Sequence, residues 1–171
     1  MKKYELTAEF IEKWGKKLFR IKALISFGSV EAGELGGYIE KEDNLAHDGN
    51  AWVYGDAEVC GDAEVYGDAE VCGNARVCGD ARVYGNADYL LIGRIGSRFS
   101  FTTFFKNKDK GITVSCGCFL GTIAEFRAKV TDTHGNNKHA KMYNLAADMA
   151  ELQILGEEYF DKLNTNKSEP F

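Results

Sequence analysis

A six-residue alternation of apolar and polar positions dominates the middle of the chain. Residues 51–86 read AWVYGD, AEVCGD, AEVYGD, AEVCGN, ARVCGD, ARVYGN, so Ala-x-Val-x-Gly-[Asp/Asn] holds in six consecutive copies. Residues two apart in a strand share a face, so Ala57 and Val59 point one way and Glu58 points the other. Gly accepts a positive φ, and Asp or Asn bonds neighbouring amides, so the last two residues predict a corner. Each hexapeptide is therefore expected to be a very short strand and a turn, stacked on its own copies.

The repeat resembles the hexapeptide repeats of left-handed parallel β-helices. The match lies in the Val, the small residue and the corner, whereas the use of Ala alone and of Asp or Asn at each turn departs from that family. The resemblance implies triangular coils of 18 residues and trimeric assembly. Looser copies extend the pattern upstream, since Leu45, His47 and Gly49 occupy the Ala, Val and Gly places and Ile39 stands one copy earlier. About three coils are then expected.

Side chains 18 residues apart are compatible with neighbours in such a coil. Glu58 would lie beside Arg76 and Glu64 beside Arg82, which are opposite charges. The other expected neighbours are Cys60 with Cys78, Tyr66 with Tyr84, an inner ladder of Val53, Val71 and Tyr89, and the unfavourable pair Glu70 and Asp88. The charges therefore support an 18-residue period independently of the resemblance.

Residues 1–38 carry strand patterns without the repeat and predict a β-hairpin cap. Phe19, Ile21 and Ala23 alternate with charged residues in KLFRIKALISF, and KKYELT is also rich in strand-forming residues. TAEFIEKWGK, between them, predicts a short helix opened by Thr7. A cap is expected because an Ala and Val core is thin and a short coil has open edges.

Residues 93–171 predict a ββαα unit that follows the repeat, residues 39–92. SRFSFTTFF and ITVSCGCF alternate around the turn NKDKG and predict a hairpin. Thr122 with Glu125 is a capping-box pattern, and Gly135 ends that helix. A second helix is expected over 138–155, followed by EEYFDKL and a polar tail. An apolar stripe on this helix comprises Met142, Leu145, Met149 and Leu152. The predicted fold class is mainly β with an α+β C-terminal module.

The composition limits which cellular compartment and which binding partners are expected. The chain has 171 residues and a net charge of −5, which argues against a general nucleic-acid-binding surface. The start, MKKYELTAEF, has no apolar run of the signal-peptide or membrane-spanning kind, so a cytoplasmic protein without a membrane partner is expected. Five cysteines in a reducing cytosol predict free thiols, although Cys60 and Cys78 should come within bridging range.

A group of positively charged and hydroxyl side chains is the strongest candidate for a ligand-binding site. Arg94 and Arg98 flank the junction after the repeat, where serine and threonine hydroxyls add donors suited to phosphate. The predicted ligand-binding residues are Arg94, Ser97, Arg98, Ser100, Thr102, Arg76 and Arg82. The alternative is that Arg76 and Arg82 are neutralised by Glu58 and Glu64 while the other arginines are solvated. In a trimer these arginines would repeat around a threefold axis and suit a nucleotide-type ligand.

Three other functions have weaker support in the sequence. Hexapeptide acyltransferases use a His as general base, and the candidates here are His47, His134 and His139. Cys116-Gly-Cys118 would place two thiols on one strand face near His134 or His139, but it lacks paired zinc spacing. Regular corner carboxylates can imitate a nucleic-acid backbone; they are Asp56, Asp62, Asp68 and Asp80, with Glu58, Glu64 and Glu70 beside them. We expect no catalytic residue, no metal and no cofactor.

Both flanks are also similar to proteins encoded by phages and prophages. The similarity is carried by RIKALISFGSVEAGELGGYIEKEDNLAHDGNAWVYGDA and GITVSCGCFLGTIAEF. It implies a non-enzymatic, oligomeric phage accessory protein in the host cytosol, used in counter-defence by sequestering a nucleotide-type immune signal or blocking a host defence effector. The alternatives are an acyl-CoA-dependent acyltransferase and a structural, virion-associated protein.

Overall fold

The computed structural model describes residues 1–157, 159 and 162. The chain divides into two compact units, Met1–Asn86 (unit 1) and Ala87–Phe171 (unit 2). Its described part is mainly β, with two helices in unit 2. The predicted polar tail, residues 164–171, lies outside the described residues, as does most of EEYFDKL. Neither described helix combines the length and the apolarity needed to cross a membrane.

Unit 1 opens with a long antiparallel hairpin. Strands β1 (Tyr4–Lys13) and β2 (Lys16–Ala23) pair from Tyr4↔Ala23 to Lys13↔Lys16, which confirms the predicted hairpin. The helix predicted over TAEFIEKWGK is wrong, because most of that segment lies in β1. Thr7 Oγ1 accepts the Glu9 N–H at 3.2 Å, a local turn contact rather than a helix cap. Cross-strand pairing of apolar side chains, such as Phe10 with Phe19, outweighs the capping signal.

The repeat forms two-residue strands that pair in parallel at a spacing of 18. These strands are β4 (Trp52–Val53), β5 (Glu58–Val59), β6 (Glu64–Val65), β7 (Glu70–Val71), β8 (Arg76–Val77) and β9 (Arg82–Val83), and the longer strand β3 (Leu35–Ile39) precedes them. β4 pairs with β7, β5 with β8 and β6 with β9, which confirms the predicted register. β3 joins β2 to β5, giving a five-stranded sheet β1-β2-β3-β5-β8. Leu45 bridges to Val65, so the pairing extends upstream of the exact copies, with a short 3-10 helix at Glu42–Asn44.

Small apolar side chains fill the inside and glycines make the corners. The repeat's Ala and Val side chains are buried, with Val59, Val65 and Val77 fully so. Five corner glycines, from Gly55 to Gly79, have φ between 58° and 72°, the conformation that the pattern predicts. Successive corners are tied together, since Asn50 Nδ2 donates to Asp68 Oδ1 at 3.0 Å. The repeat therefore positions polar corners at regular intervals along unit 1.

A disulfide joins Cys60 and Cys78, which corrects the expectation of free thiols for these two residues. The 18-residue register brings their Cα atoms to 4.6 Å, and both side chains are buried beside Leu18 and Tyr38. Cys116 and Cys118 are free thiols. The expectation failed because it used compartment alone, whereas the parallel register holds the two thiols next to each other.

Unit 2 is a four-stranded antiparallel sheet with two helices. A 3-10 turn at Asn86–Asp88 precedes β10 (Tyr89–Ile95), β11 (Ser100–Lys106), β12 (Ile112–Cys116) and β13 (Phe119–Thr122), which pair in that order. The predicted hairpin corresponds to β11 and β12, whereas β10 and β13 were missed. Tyr89 pairs with Phe105 in this sheet, so it does not continue the ladder of Val53 and Val71.

Both predicted helices are present, and their ends follow the sequence signals. Helix α1 (Ile123–His134) begins with the capping box, because Thr122 Oγ1 accepts the Glu125 N–H at 3.2 Å and Glu125 accepts the Thr122 N–H at 2.8 Å. Gly135 ends it, and α2 spans Lys138–Leu155. The helices pack on the sheet around Phe104, Val114, Phe126 and Ala147.

The apolar stripe of α2 faces solvent rather than the core. Exposed fractions for the stripe are 40% for Met142, 63% for Leu145, 56% for Met149 and 45% for Leu152. The buried side of α2 instead carries small residues and three larger ones: Ala140, Tyr143, Ala146, Ala147, Ala150, Glu151 and Ile154. The close approach of alanines to the sheet explains why the larger stripe is left outside.

Candidate functional site: a cavity in unit 2

A cavity of about 360 Å³ lies between α1, α2 and one end of the unit 2 sheet. The antiparallel order places the β10–β11 and β12–β13 connections at the same end of the sheet. Ser97, Arg98 and Ser100 line the cavity from the first connection, and Cys116 and Gly117 line it from the second. Phe126 and His134 line it from α1. Loops held by a rigid sheet thus meet a helix, which is a common setting for ligand sites.

The polar side of the cavity is cationic. Arg98 extends toward the second connection, with its guanidinium 3.9 Å from where a Cβ on Gly117 would lie. Lys129, exposed on α1, lines the cavity, and its ammonium is 3.8 Å from Asp132 in an exposed pair. No Asp or Glu is among the described residues that line the cavity. Such a lining attracts an anion.

The opposite side of the cavity is aromatic. The Tyr143 and His134 rings stack with centroids 5.8 Å apart and planes 29° apart. Phe126 meets Tyr143 edge to face at 5.6 Å and lies 5.7 Å from Phe119. Phe119, Phe126, His134 and Tyr143 form what we call the aromatic wall. Phe126 and Tyr143 are only 3% and 7% exposed, so the accessible part of the wall is the half-buried Phe119 and His134, whose rings can pack against a planar group.

Gly96 lets Tyr143 reach the β10–β11 connection. Its φ is +76°, and a Cβ at this position would lie 1.8 Å from the Tyr143 hydroxyl oxygen. Any side chain here would therefore displace Tyr143 and would also strain the backbone. The glycine within Ile-Gly-Ser is a structural requirement of the cavity.

Tyr143 and Cys116 form a polar pair at the cavity's inner edge. The Tyr143 hydroxyl hydrogen-bonds to the Cys116 thiol, and Thr102 Oγ1 lies 3.2 Å from Cys116 Sγ. The pKa of Tyr143 is raised to about 12, mainly by burial and also by the neighbouring Cys116, while Arg98 acts in the opposite direction. Tyr143 therefore stays a neutral phenol at pH 7 and keeps its hydrogen-bonding proton.

The seven predicted ligand-binding residues do not form one group. Ser97, Arg98 and Ser100 line the cavity, and the fully buried Thr102 lies behind it on Cys116. Arg94 lies 5.9 Å from the Phe101 ring centroid and is not part of the lining.

Arg76 and Arg82 belong to unit 1, where each has an intramolecular contact. The Arg76 guanidinium stacks 3.2 Å from the Trp14 ring centroid. Arg82 pairs with Glu64 at 3.3 Å, as the alternative reading expected, and donates to the Asp62 carbonyl at 2.8 Å. Glu58, which faces Arg76 in the register, pairs with Lys13 of the hairpin.

Of the residues considered for acyl transfer and metal binding, His134 and Cys116 line the cavity, whereas His47 and Cys118 lie in other surroundings. His47 stacks on Tyr4 at 4.3 Å, and its Nδ1 accepts the Lys3 N–H at 3.2 Å. Cys118 lies in the turn after β12, so the two thiols of Cys116-Gly-Cys118 do not share a strand face as expected. Among the described residues, no group of three or more His, Cys, Asp or Glu is placed to hold a metal ion.

Sequence reasoning missed most of the aromatic wall. Phe126, Val130 and Thr133 or His134 recur at helical spacing on one face of α1, a pattern that predicts an apolar helix face but not a ligand site. Tyr143 and Phe119 carried no separate signal. A glycine between a strand and a polar turn was the available clue, because it indicates close approach of another group.

No protein-family model matches this chain, and no curated protein matches it in sequence. The functional case therefore rests on the geometry of the cavity.

Proposed function

We propose that unit 2 binds a small anionic ligand of nucleotide type and holds it without turnover. The observation that carries this proposal is the pairing of Arg98 and its neighbouring serines with an aromatic wall in one cavity. A guanidinium with adjacent hydroxyls suits phosphate oxygens, and flat rings suit a base. No carboxylate is among the described lining residues, and His134, the imidazole in the lining, stacks on Tyr143.

For unit 1 we propose a left-handed parallel β-helix of about three coils that acts as a scaffold. The 18-residue parallel register and the positive-φ corners support it. The disulfide and the β1–β2 hairpin reinforce this unit. The family's trimeric assembly is the corresponding proposal for the whole chain.

The exposed stripe of α2 supports an oligomer. Met142, Leu145, Met149 and Leu152 follow spacings of three and four residues, which is the seam of a helix that packs on another helix. Because identical chains carry identical seams, copies of this chain can satisfy one another.

The biological role that we propose is counter-defence by a phage accessory protein in the host cytosol. The cavity suits sequestration of a nucleotide-type immune signal better than obstruction of a host effector, because it is concave and small. Acyl-CoA-dependent transfer and a virion-associated role remain the alternatives. The stacked position of His47 gives no support to the former.

Isothermal titration calorimetry with a panel of linear, cyclic and ADP-ribose-type nucleotides tests the proposal. We expect heat with at least one, recovery of that compound unchanged by chromatography after incubation, and loss of the heat in Arg98→Gln. Arg94→Gln is the matched control, since Arg94 is the same residue type in the same segment but outside the lining. No heat across the panel, or conversion of the compound, would contradict the proposal.

A further inference from the structure

Tyr143 contacts both the polar and the aromatic residues that line the cavity. Its hydroxyl tip lies beside Gly96 and Cys116, at the two sheet connections. Its ring packs against His134 and Phe126, on α1. The cavity therefore has a polar end, formed by the two connections and Lys129 of α1, and an aromatic end, formed by the aromatic wall. A ligand that fills it needs an anionic group at one end and a flat ring at the other.

The polar end has the features of a phosphate-binding site. Arg98, with Ser97 and Ser100 in the same connection, supplies a planar fork and two hydroxyls. Lys129 adds a second positive charge from a side chain whose exposed fraction is 65%. An exposed ammonium adds long-range attraction but little fixed geometry. Two cations without a lining carboxylate match a terminal phosphate, which carries nearly two negative charges at pH 7.

The volume restricts the ligand's size. About 360 Å³ is near the lower end of the roughly 300–1,000 Å³ that small-molecule sites span. Within the aromatic wall, His134 and Tyr143 stack on each other at 29° and Phe126 meets Tyr143 at 89°, so the surface left for a ligand is that of the half-buried His134 and Phe119. One stacking surface serves one base. A second nucleotide unit would need about twice the volume and a second surface.

We propose that the cavity takes one nucleoside-monophosphate unit, with the phosphate on Arg98 and the base against the aromatic wall. This rests on the nucleotide-type ligand proposed above and narrows it to a single class. Among nucleotide-type ligands, cyclic dinucleotides are too large for this volume, and free nucleosides lack the phosphate that would contact Arg98.

The test compares the parts of the ligand by calorimetry on the full chain. The probes are the four ribonucleoside 5′-monophosphates, the matching nucleosides, inorganic phosphate and a cyclic dinucleotide. We expect the best monophosphate to bind at least tenfold more tightly than its nucleoside, than inorganic phosphate and than the cyclic dinucleotide. If phosphate or the cyclic dinucleotide binds as tightly, the single-nucleotide assignment is overturned while anion binding stands. If the nucleoside binds as tightly as the monophosphate, the assignment of the phosphate to Arg98 is overturned. If none of the probes and no compound of the wider nucleotide panel binds, the proposed function itself fails.

Substitutions at each end of the cavity test which part of the ligand that end binds. Arg98→Gln should weaken the monophosphate at least tenfold and leave the nucleoside unchanged, whereas Arg94→Gln should change neither. Phe119→Leu keeps an apolar side chain but removes a ring, and it should weaken the monophosphate severalfold without affecting inorganic phosphate. Circular dichroism of each variant checks that unit 2 is folded. Equal effects of Arg98→Gln and Arg94→Gln in folded proteins would overturn the assignment of the polar end.

Discussion

Replacing Arg127 tests how α1 and α2 are held together around the cavity. Its guanidinium donates to Asp148 and to Glu151 at 2.7 Å each, and to Asn144 Oδ1 at 3.1 Å. The Glu151 side chain is only 7% exposed, so Arg127→Met leaves a buried carboxylate without its cation. Removing one partner of a buried pair costs about 3–5 kcal/mol. Because the Arg127 side chain is 23% exposed and that of Asp148 is 36% exposed, we expect about 2–3 kcal/mol.

Urea denaturation followed by circular dichroism at 222 nm measures this loss, because both described helices lie in unit 2. With a slope of about 1 kcal/mol per molar urea for a small unit, the midpoint should fall by roughly 2 M. Fluorescence of Trp14 and Trp52, both in unit 1, reports that unit in the same samples.

The matched control is Lys129→Met, two positions along the same helix. Lys129 pairs with Asp132 at 3.8 Å with both side chains largely exposed, so its loss should cost less than about 0.5 kcal/mol. Adding Glu151→Leu to Arg127→Met should recover most of the stability, because the uncompensated charge is then gone. Equal midpoints for Arg127→Met and Lys129→Met, or no recovery in the double variant, would refute the reasoning.

Three further predictions concern unit 1 and assembly. Cys60→Ala/Cys78→Ala should destabilise unit 1 by about 3 kcal/mol, since the bridge closes a loop of 18 residues; equal urea midpoints in tryptophan fluorescence for the variant and the oxidised protein would contradict this. Lys3 is buried with its ammonium 2.8 Å from the Ala51 carbonyl, and burial lowers its pKa to about 8, against an opposing effect of Asp48. Between about pH 8 and 10 the unfolded chain binds the extra proton, so stability should rise with pH there by roughly 1–2 kcal/mol once solvent screening is allowed for. Above pH 10 it should fall, because burial raises the pKa of Tyr4 above its usual range and only the unfolded chain ionises. Lys3→Met should abolish the rise in fluorescence-monitored urea midpoints, and a flat wild-type profile over this window would contradict the assignment. Leu145→Lys/Met149→Lys should lower the molar mass in light scattering, with Lys141→Glu as a nearby control; an unchanged mass in the double variant would remove the stripe from assembly.

The repeat was predictable because its local and long-range signals agree. Short period, corner residues and charges at a spacing of 18 all specify one register, and that register was enough to place Cys60 beside Cys78. The bond between them was missed because the expectation relied on compartment. Thr7 gives the opposite lesson, since its capping signal was overridden by strand pairing, which depends on residues more than ten positions away.

Half of the cavity was predictable and half was not. Ser97, Arg98 and Ser100 stand together in sequence, so their shared donors are visible in one segment. Phe119, Phe126 and Tyr143 come from three elements, and their meeting depends on sheet order, the short β13 and the Gly96 contact. The stripe of α2 was visible, but periodicity alone does not say which side of a helix meets the core when the other side is rich in alanine.

Protection of Cys116 from alkylation tests the central claim most directly. Cys116 lines the cavity, whereas the exposed Cys118 and Cys72 serve as internal references in the same sample. Iodoacetamide labelling at each cysteine, read by tandem mass spectrometry, is compared with and without saturating amounts of the tightest-binding nucleoside monophosphate. We predict that the nucleotide slows labelling of Cys116 at least tenfold and leaves Cys118 and Cys72 unchanged. Equal labelling of Cys116 in both samples, with binding verified by calorimetry, would place the ligand outside this cavity and contradict the account.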